Sequence, residues 1–526
     1  MTQNPPPVQA GRMPRQIPFI IANEGCERFS FYGMRNILTP FLISSLLLFL
    51  PEAERAGEAK HVFHTFVIGV YFFPLLGGWL ADRFFGKYNT VFWLSLVYCA
   101  GHACLAAFES SVKGFYLGLF LIALGSGGIK PLVASFVGDQ FDHTNKDKAK
   151  VVFDAFYWII NFGSFFASLL MPIFLRDYGA AVAFGIPGIL MFIATLVFWS
   201  GRKKYVHVPP SASNPHSFLN VAKSALLAKR GGEGRPGLAV AAVGVAGAVV
   251  SLAMTPGWGF VIAACTALVL LLAFGGIGVS MQLERARGLH PDEAVDGVRG
   301  VLRVLIVFAL VTPFWSLFDQ KASTWIVQAN SMVRPTLSLF GSEFRFEPAQ
   351  MQALNPLLVM LLIPFNNFAV FPLLRKLGWE PTALRRMTAG IALSALSWVA
   401  IGTIQMAMDG GSAVSMAWQI LPYALLTMGE VLVSASGLEF AYSQAPSSMK
   451  GVIMAFWYLA VTVGSLWVLI VNASVKNEAV LGHIANTGLG VMAFQMYFFA
   501  AFAFVAALVF GWYATRYRMV NNYRTQ

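Results

Sequence analysis

Charge is scarce in this chain. Asp, Glu, Lys and Arg make up 12% of its 526 residues, half of the ~25% usual in a soluble domain, which excludes a water-facing surface over most of its length. Cysteine is rarer still. Cys26, Cys99, Cys104 and Cys265 fall in or beside apolar runs without metal-ligand spacing, so neither a disulfide framework nor a metal centre is expected. The first thirty residues hold no apolar stretch long enough for a signal-peptide core, and the N-terminus is expected to stay. Also missing are the G-x-S-x-G, H-E-x-x-H, G-x-G-x-x-G and G-x-x-x-x-G-K-[ST] patterns. These absences argue against an enzyme and against a bound cofactor.

What is present is apolar: 57% hydrophobic residues, with 46 Phe and 13 Trp. Fourteen segments near the length of a bilayer-crossing helix begin near residues 28, 62, 89, 113, 151, 180, 237, 257, 299, 350, 384, 416, 451 and 490. The chain is expected to be an all-α integral membrane protein. Its net charge of +12 raises the question of a nucleic-acid partner, but the distribution answers it. With the N-terminus in the cytoplasm, 26 of the 37 basic residues fall in cytoplasmic loops and tails, as the positive-inside bias demands. The charge sets orientation, and both termini are expected to be cytoplasmic.

Two basic linkers, "GRKKYVHVPPSASNPHS" and "ERARGLHPDEAVDGVRG", flank two uncharged Ala/Val/Gly-rich segments. The layout is six helices, an inserted pair and six more: a cytoplasmic tail over 1–16, an N-terminal bundle over 17–200, a linker with the pair over 201–298, a C-terminal bundle over 299–515 and a tail over 516–526. Six plus six is the plan of secondary transporters, with a midplane site between halves. "GGWLADRFFGK" at 77–87 resembles the loop signature of the major facilitator superfamily. There Asp82 with Arg83 or Lys87 is expected to latch the cytoplasmic side.

"NEGCERFSFYGMRNIL" sets four ionisable groups in the first membrane segment. At ~100° per residue, Glu24, Glu27, Arg28 and Arg35 share an arc of about 100°, with Tyr32 at its edge. Four lipid-facing charges would cost on the order of 10 kcal/mol, so this face points into the protein or a water-filled cavity, as a functional site or a salt-bridged seam. Lys130 in "GSGGIKPLV" and Glu430 in "TMGEVLVSASGLEF" have no opposite charge nearby in sequence, which marks each as functional. Asn161 and Asn355 suit helix–helix contact as well as ligand contact. His64 is either an interfacial residue or a proton switch. Trp315, Trp325 and Trp457 fit packing or an interfacial belt as readily as a binding site, while Tyr32 and Tyr71 are better placed to meet a ligand.

Several separate stretches resemble one family. "EGCERFSFYG" resembles the E-x-x-E-R-F-x-Y-Y-G signature of the proton-dependent oligopeptide transporters of the major facilitator superfamily, and "GSGGIKPLVASFVGDQF", "FYWIINFGS", "FWSLFDQ" and "GLEFAYSQAPSSMKG" are similar to its other hallmarks. The inserted pair fits its bacterial members. The resemblance implies a major facilitator fold with two inserted helices and a proton-coupled symporter importing di- and tripeptides through the inner membrane, with no obligate protein partner. It assigns proton coupling to Glu24, Glu27, Arg28, His64, Lys130 and Glu430. Arg28, Arg35 and Lys130 would meet the peptide carboxylate, while Glu430, Asn161 and Asn355 face its amine. Tyr32, Tyr71, Trp315, Ser434 and Trp457 would line pockets, and His64 and Asp319 would form the outer gate, Asp319 pairing with Arg35 or His64. Apart from the resemblance, the lone charges of Lys130 and Glu430 are expected to pair and gate the cytoplasmic side. One departure is Phe31, where the family has tyrosine. The rival is another small solute on the same scaffold, such as nitrate or a peptide-like drug; nitrate has no use for Glu430 opposite the cations.

Overall fold

A computed structural model describes residues 13–141, 149–210, 214–229, 234–339, 342–444 and 449–517. Most of the two expected tails lies outside the described residues. The first half of the chain folds into α1 (Ile17–Phe41), α2 (Glu52–Leu80), α3 (Gly86–Ala107), α4 (Val112–Gly138) and α5 (Ala149–Ser200). α5 is two helices run together across Gly179, whose φ of 81° breaks the helical path; glycine takes this left-handed region without a Cβ clash. A π-helical turn at Ala81–Phe85 likewise joins α2 to α3. Ser111 starts α4 by accepting the Gly114 backbone N–H at 3.3 Å, one of the donors a helix start leaves unpaired.

The middle holds α6 (Phe218–Leu227), α7 (Pro236–Ala253), the single turn α8 (Thr255–Trp258) and α9 (Phe260–Gln282). There follow α10 (Asp292–Phe318), α11 (Thr324–Asn330), α12 (Leu354–Phe365), α13 (Phe371–Lys376), α14 (Ala383–Asp409), α15 (Ile420–Gln444), α16 (Lys450–Ser474), α17 (Glu478–Ala485) and α18 (Val491–Arg516). Among the described residues, eleven helical stretches are long and apolar enough to cross a membrane. Two of them, over 52–107 and 151–200, are each a pair of spans joined end to end. Adding α1, whose charges set it apart, gives the fourteen spans expected. Among the described residues, the helices are interrupted by a hairpin, β1 (Thr336–Leu339) against β2 (Ser342–Arg345), with Thr336 opposite Arg345. No apolar run announces it.

The chain divides into two compact units. The first comprises residues 1–55, 72–212 and 349–360, the second residues 56–71, 213–348 and 361–526. In the first, Phe41, Phe115 and Phe184 are all but fully buried, their ring centroids 5.0–5.3 Å apart. α1 is stitched to α5 by polar side chains: Asn23 Nδ2 donates to the Ala194 carbonyl at 2.9 Å, and Asn36 to Ser168. Gly77 shows why the loop signature needs glycine. A Cβ there would run into the backbone of Gly128 on α4, so two helices meet backbone to backbone, as small residues allow in membranes.

In the second unit one face of α10, with Val295, Val298, Val301, Val304, Val307 and Val311 all fully buried, packs into the core with Met387, Ile391, Val433 and Phe440. Six valines at spacings of three and four form a helical stripe. α6 joins this core through Val221, Ala222 and Ala225, while Leu219 stays 75% exposed. Gln282 ties the inserted pair to α6, donating to the Ala225 and Leu226 carbonyls at 2.8 Å and accepting from the Gly237 N–H at 3.0 Å.

Candidate functional site

In the first unit the charged face of α1 closes on itself. Arg28 Nε lies 2.6 Å from Glu24 Oε1 and 2.9 Å from Glu27 Oε2, and all three residues are 2–8% exposed. Glu24 sits four residues before Arg28, one turn away, so local helix geometry builds the pair. The two carboxylates are not equivalent. Glu24 accepts a hydrogen bond from Nε, whereas both Glu27 oxygens lack a hydrogen-bond partner. Two carboxylates share one guanidinium, with the Lys130 ammonium as a further cation in reach of Glu27, and the less firmly held group is Glu27. The arrangement suits uptake of a single proton.

Lys130 on α4 lies within electrostatic reach of Glu27, and its ammonium stands 4.1 Å from the centroid of the Phe31 ring. A cation over an aromatic face is favoured by about 0.5–2 kcal/mol, and that contact needs no hydroxyl. The replacement of tyrosine by Phe31 therefore keeps a seat for Lys130. The Tyr32 ring meets Phe31 edge-on at 5.4 Å, on the same face as Arg28. Arg35 is 5% exposed and Asn161 8%; the Asn161 amide donates to the Tyr157 carbonyl one turn back, at 3.0 Å. Asn355 is half-buried at the start of α12.

The second unit gathers the aromatic candidates. Trp315 on α10 meets Trp457 on α16 with centroids 5.6 Å apart at 85°, and Phe308 closes on Trp457 at 5.2 Å. Tyr71 stacks on Tyr458 at 6.2 Å. His64 is fully buried and bonds through Nε2 to Ser323 Oγ at 3.0 Å. Asp319 is 2% exposed at the C-terminal end of α10. Glu430 and Ser434 are half-buried, one turn apart on α15.

At the turn that carries the loop signature, Asp82 lies within electrostatic reach of both Lys87 and Asp139. Lys87 Nζ binds Asp139, at 2.9 and 2.7 Å to its two carboxylate oxygens. Asp139 directly follows α4, far away in sequence, and only folding brings it to the turn after α2. Asp82 and Arg83 are exposed on that turn. Sequence reasoning also missed Tyr98 and His102, two fully buried polar side chains on α3. A histidine within the apolar run "WLSLVYCAGHACLAAF" was the available signal. Outside the spans, His216 and His290 were missed as well: their Nδ1 atoms lie 2.9 Å apart, and His290 Nε2 is 2.8 Å from Ser224 Oγ. Burial, then the neighbouring His216, pushes His290 below the usual histidine range.

Known sequences and structures identify the family. The profile described as "PTR2: POT family" matches residues 88–487. The chain belongs to the POT family. It is 32% identical over 417 residues to solute carrier family 15 member 2 of Oryctolagus cuniculus, covering 77% of this chain and 50% of that protein. It is 33% identical over 412 residues to peptide transporter family 2 of Caenorhabditis elegans, with 75% and 47% covered. The chain thus spans about half the length of the curated relatives it matches. Among solved structures, an auto-inhibited POT family peptide transporter superposes with a TM-score of 0.94 at 68% identity, covering 98% of this chain and 99% of that one. The POT family transporter PepTSo gives 0.93 at 66% identity, with 96% and 99% covered. For this POT-family chain, the major facilitator fold and the multi-pass membrane architecture expected from the sequence hold.

Proposed function

We propose that this chain is a proton-coupled symporter that imports di- and tripeptides by alternating access. The observation carrying the reading is the buried Glu24–Arg28–Glu27 triad, in which two carboxylates share one guanidinium. An ionisable set inside a membrane helix marks a functional site by default. The names of relatives in which peptide transport is stated support the substrate class. Glu24, Glu27 and Arg28 take up and release the proton, with His64, Lys130 and Glu430 as further titrating or charge-sensing groups. Arg28, Arg35 and Lys130 receive the peptide carboxylate, Glu430 with Asn161 and Asn355 the amine. Tyr32, Tyr71, Trp315, Ser434 and Trp457 line the side-chain pockets, and Arg35, His64, Asp319, Lys130 and Glu430 serve gating. Residues 17–200 and 299–515 act as the moving bundles in an inner membrane, with both termini cytoplasmic.

A dipeptide or tripeptide spans at most ~10 Å at ~3.3–3.6 Å per residue. Cations at one end and a carboxylate at the other fix its two termini and leave its side chains loosely specified. The test is uptake of labelled dialanine into proteoliposomes under an inward proton gradient. Accumulation that collapses when the gradient is dissipated supports the reading; flux indifferent to the gradient refutes it. Competition by unlabelled dialanine separates a peptide carrier from one for nitrate or another anion.

A further inference from the structure

Beside Glu27 lies a set of buried polar groups that the peptide and its carboxylate do not require. Tyr98 and His102, one turn apart on α3, are both fully buried and stack at 5.1 Å with their rings 24° from parallel. His102 Nε2 is 2.9 Å from Ser30 Oγ on α1. Ser126 on α4 is also fully buried. The Tyr98 phenol is within hydrogen-bonding reach of Glu27, Ser30 and Ser126, yet in this structure its hydroxyl, the Ser126 hydroxyl and both Glu27 oxygens meet no partner at full hydrogen-bond geometry.

The fold makes room for this pair. A Cβ at Gly125 of α4 would collide with the backbone N and Cβ of Tyr98, and one at Gly188 of α5 with the Cβ of His102. The stack is therefore wedged between helices and holds the phenol at a fixed place. Leaving buried hydroxyls without a well-made hydrogen bond is unfavourable for each of them. They are explained if the single phenolic proton serves different acceptors in different states.

We propose that Tyr98, braced by His102, is a positioning residue for the proton site at Glu27: its O–H donates to the Glu27 carboxylate when that group is charged and turns to Ser126 or Ser30 when Glu27 carries the proton. The idea rests on the proton-coupled reading above. No bond beyond the carboxyl O–H forms or breaks; the phenol keeps its own proton and only reorients. The groups that act on Glu27 are Arg28 and Glu24 from α1, Lys130 from α4 and Tyr98 from α3. A phenol donating to a carboxylate favours the charged form. Without it, Glu27 holds its proton to higher pH.

The experiment is the pH profile of dialanine accumulation in proteoliposomes, read as its midpoint independently of maximal rate. The wild-type chain must first accumulate dialanine on a proton gradient; if it does not, the function proposed above fails and the role of Tyr98 is not what failed. Given that accumulation, Tyr98→Phe should move the midpoint up by about one pH unit. Ser126→Ala removes an alternative acceptor, keeps the phenol on Glu27, and should move the midpoint down by a smaller step. His102→Gln keeps a partner for Ser30 but loses the stack, and should shift the midpoint in the direction of Tyr98→Phe. A Tyr98→Phe midpoint equal to wild type overturns the proposal, as does lower maximal accumulation at an unmoved midpoint. If Tyr98→Phe does not fold, Ser126→Ala decides, and an upward or absent shift there refutes the idea.

Discussion

Glu24 and Glu27 sit almost equally close to the same guanidinium, yet they should respond differently to removal of their charge. At 2.6 and 2.9 Å, the attraction of each to Arg28 is about 6 kcal/mol at an effective dielectric of ~20. Coulomb energy therefore does not separate them. The hydrogen bond does: Glu24 accepts from Nε and Glu27 accepts none, and a bond to a charged group contributes about 1.5–3 kcal/mol. Glu24→Gln should cost about 3–5 kcal/mol of stability, the usual loss when a buried ion pair is broken, and show as a lower melting temperature in detergent. Glu27→Gln leaves Glu24–Arg28 as a neutral pair, gives up no such hydrogen bond, and should lose less stability than Glu24→Gln. Its effect should fall on coupling. One charge moving inward at ~100 mV supplies ~2.3 kcal/mol, roughly a 50-fold accumulation, and Glu27→Gln should reduce that to equilibration while dialanine counterflow continues. Concentrative uptake by Glu27→Gln, together with its loss in a well-folded Glu24→Gln, would place the proton on Glu24 and refute the reasoning.

Three other outcomes are expected. Glu430→Gln keeps the volume but removes the charge, so dialanine should lose affinity while an N-acetylated dipeptide loses much less; equal losses would mean that Glu430 does not meet the amine. Gly77→Ala puts a methyl against the Gly128 backbone, and such overpacking should lower stability by about 1–3 kcal/mol, whereas Gly78→Ala, with nothing in the way, should be mild; equal melting temperatures would refute the close approach. The folded value of His290 is depressed, so its contribution to stability is present above ~6.5 and lost as pH falls through that folded value. The protection of α6 amides, corrected for their intrinsic exchange rate at each pH, should accordingly fall from pH 7.5 to 5, and His290→Gln should flatten that dependence.

Composition and pattern were enough to establish the membrane class, the fourteen spans and the charged face of α1. These are local properties: mean apolarity over twenty residues, and the angle between side chains three or four positions apart on one helix. Glu24 and Arg28 meet because they are one turn apart, and no tertiary contact is needed for that. Folding decided what depends on distant segments. Lys87 found Asp139, because the end of α4 comes to the turn after α2. His64 became a buried partner of Ser323, 259 residues away, and Lys130 came to rest over Phe31, 99 positions earlier in the chain. The short hairpin and amphipathic α6 carry no long apolar run, so hydropathy passed over them. Tyr98 and His102 looked like ordinary members of an apolar helix, because burial beside Glu27 is a property of three packed helices and not of any one of them.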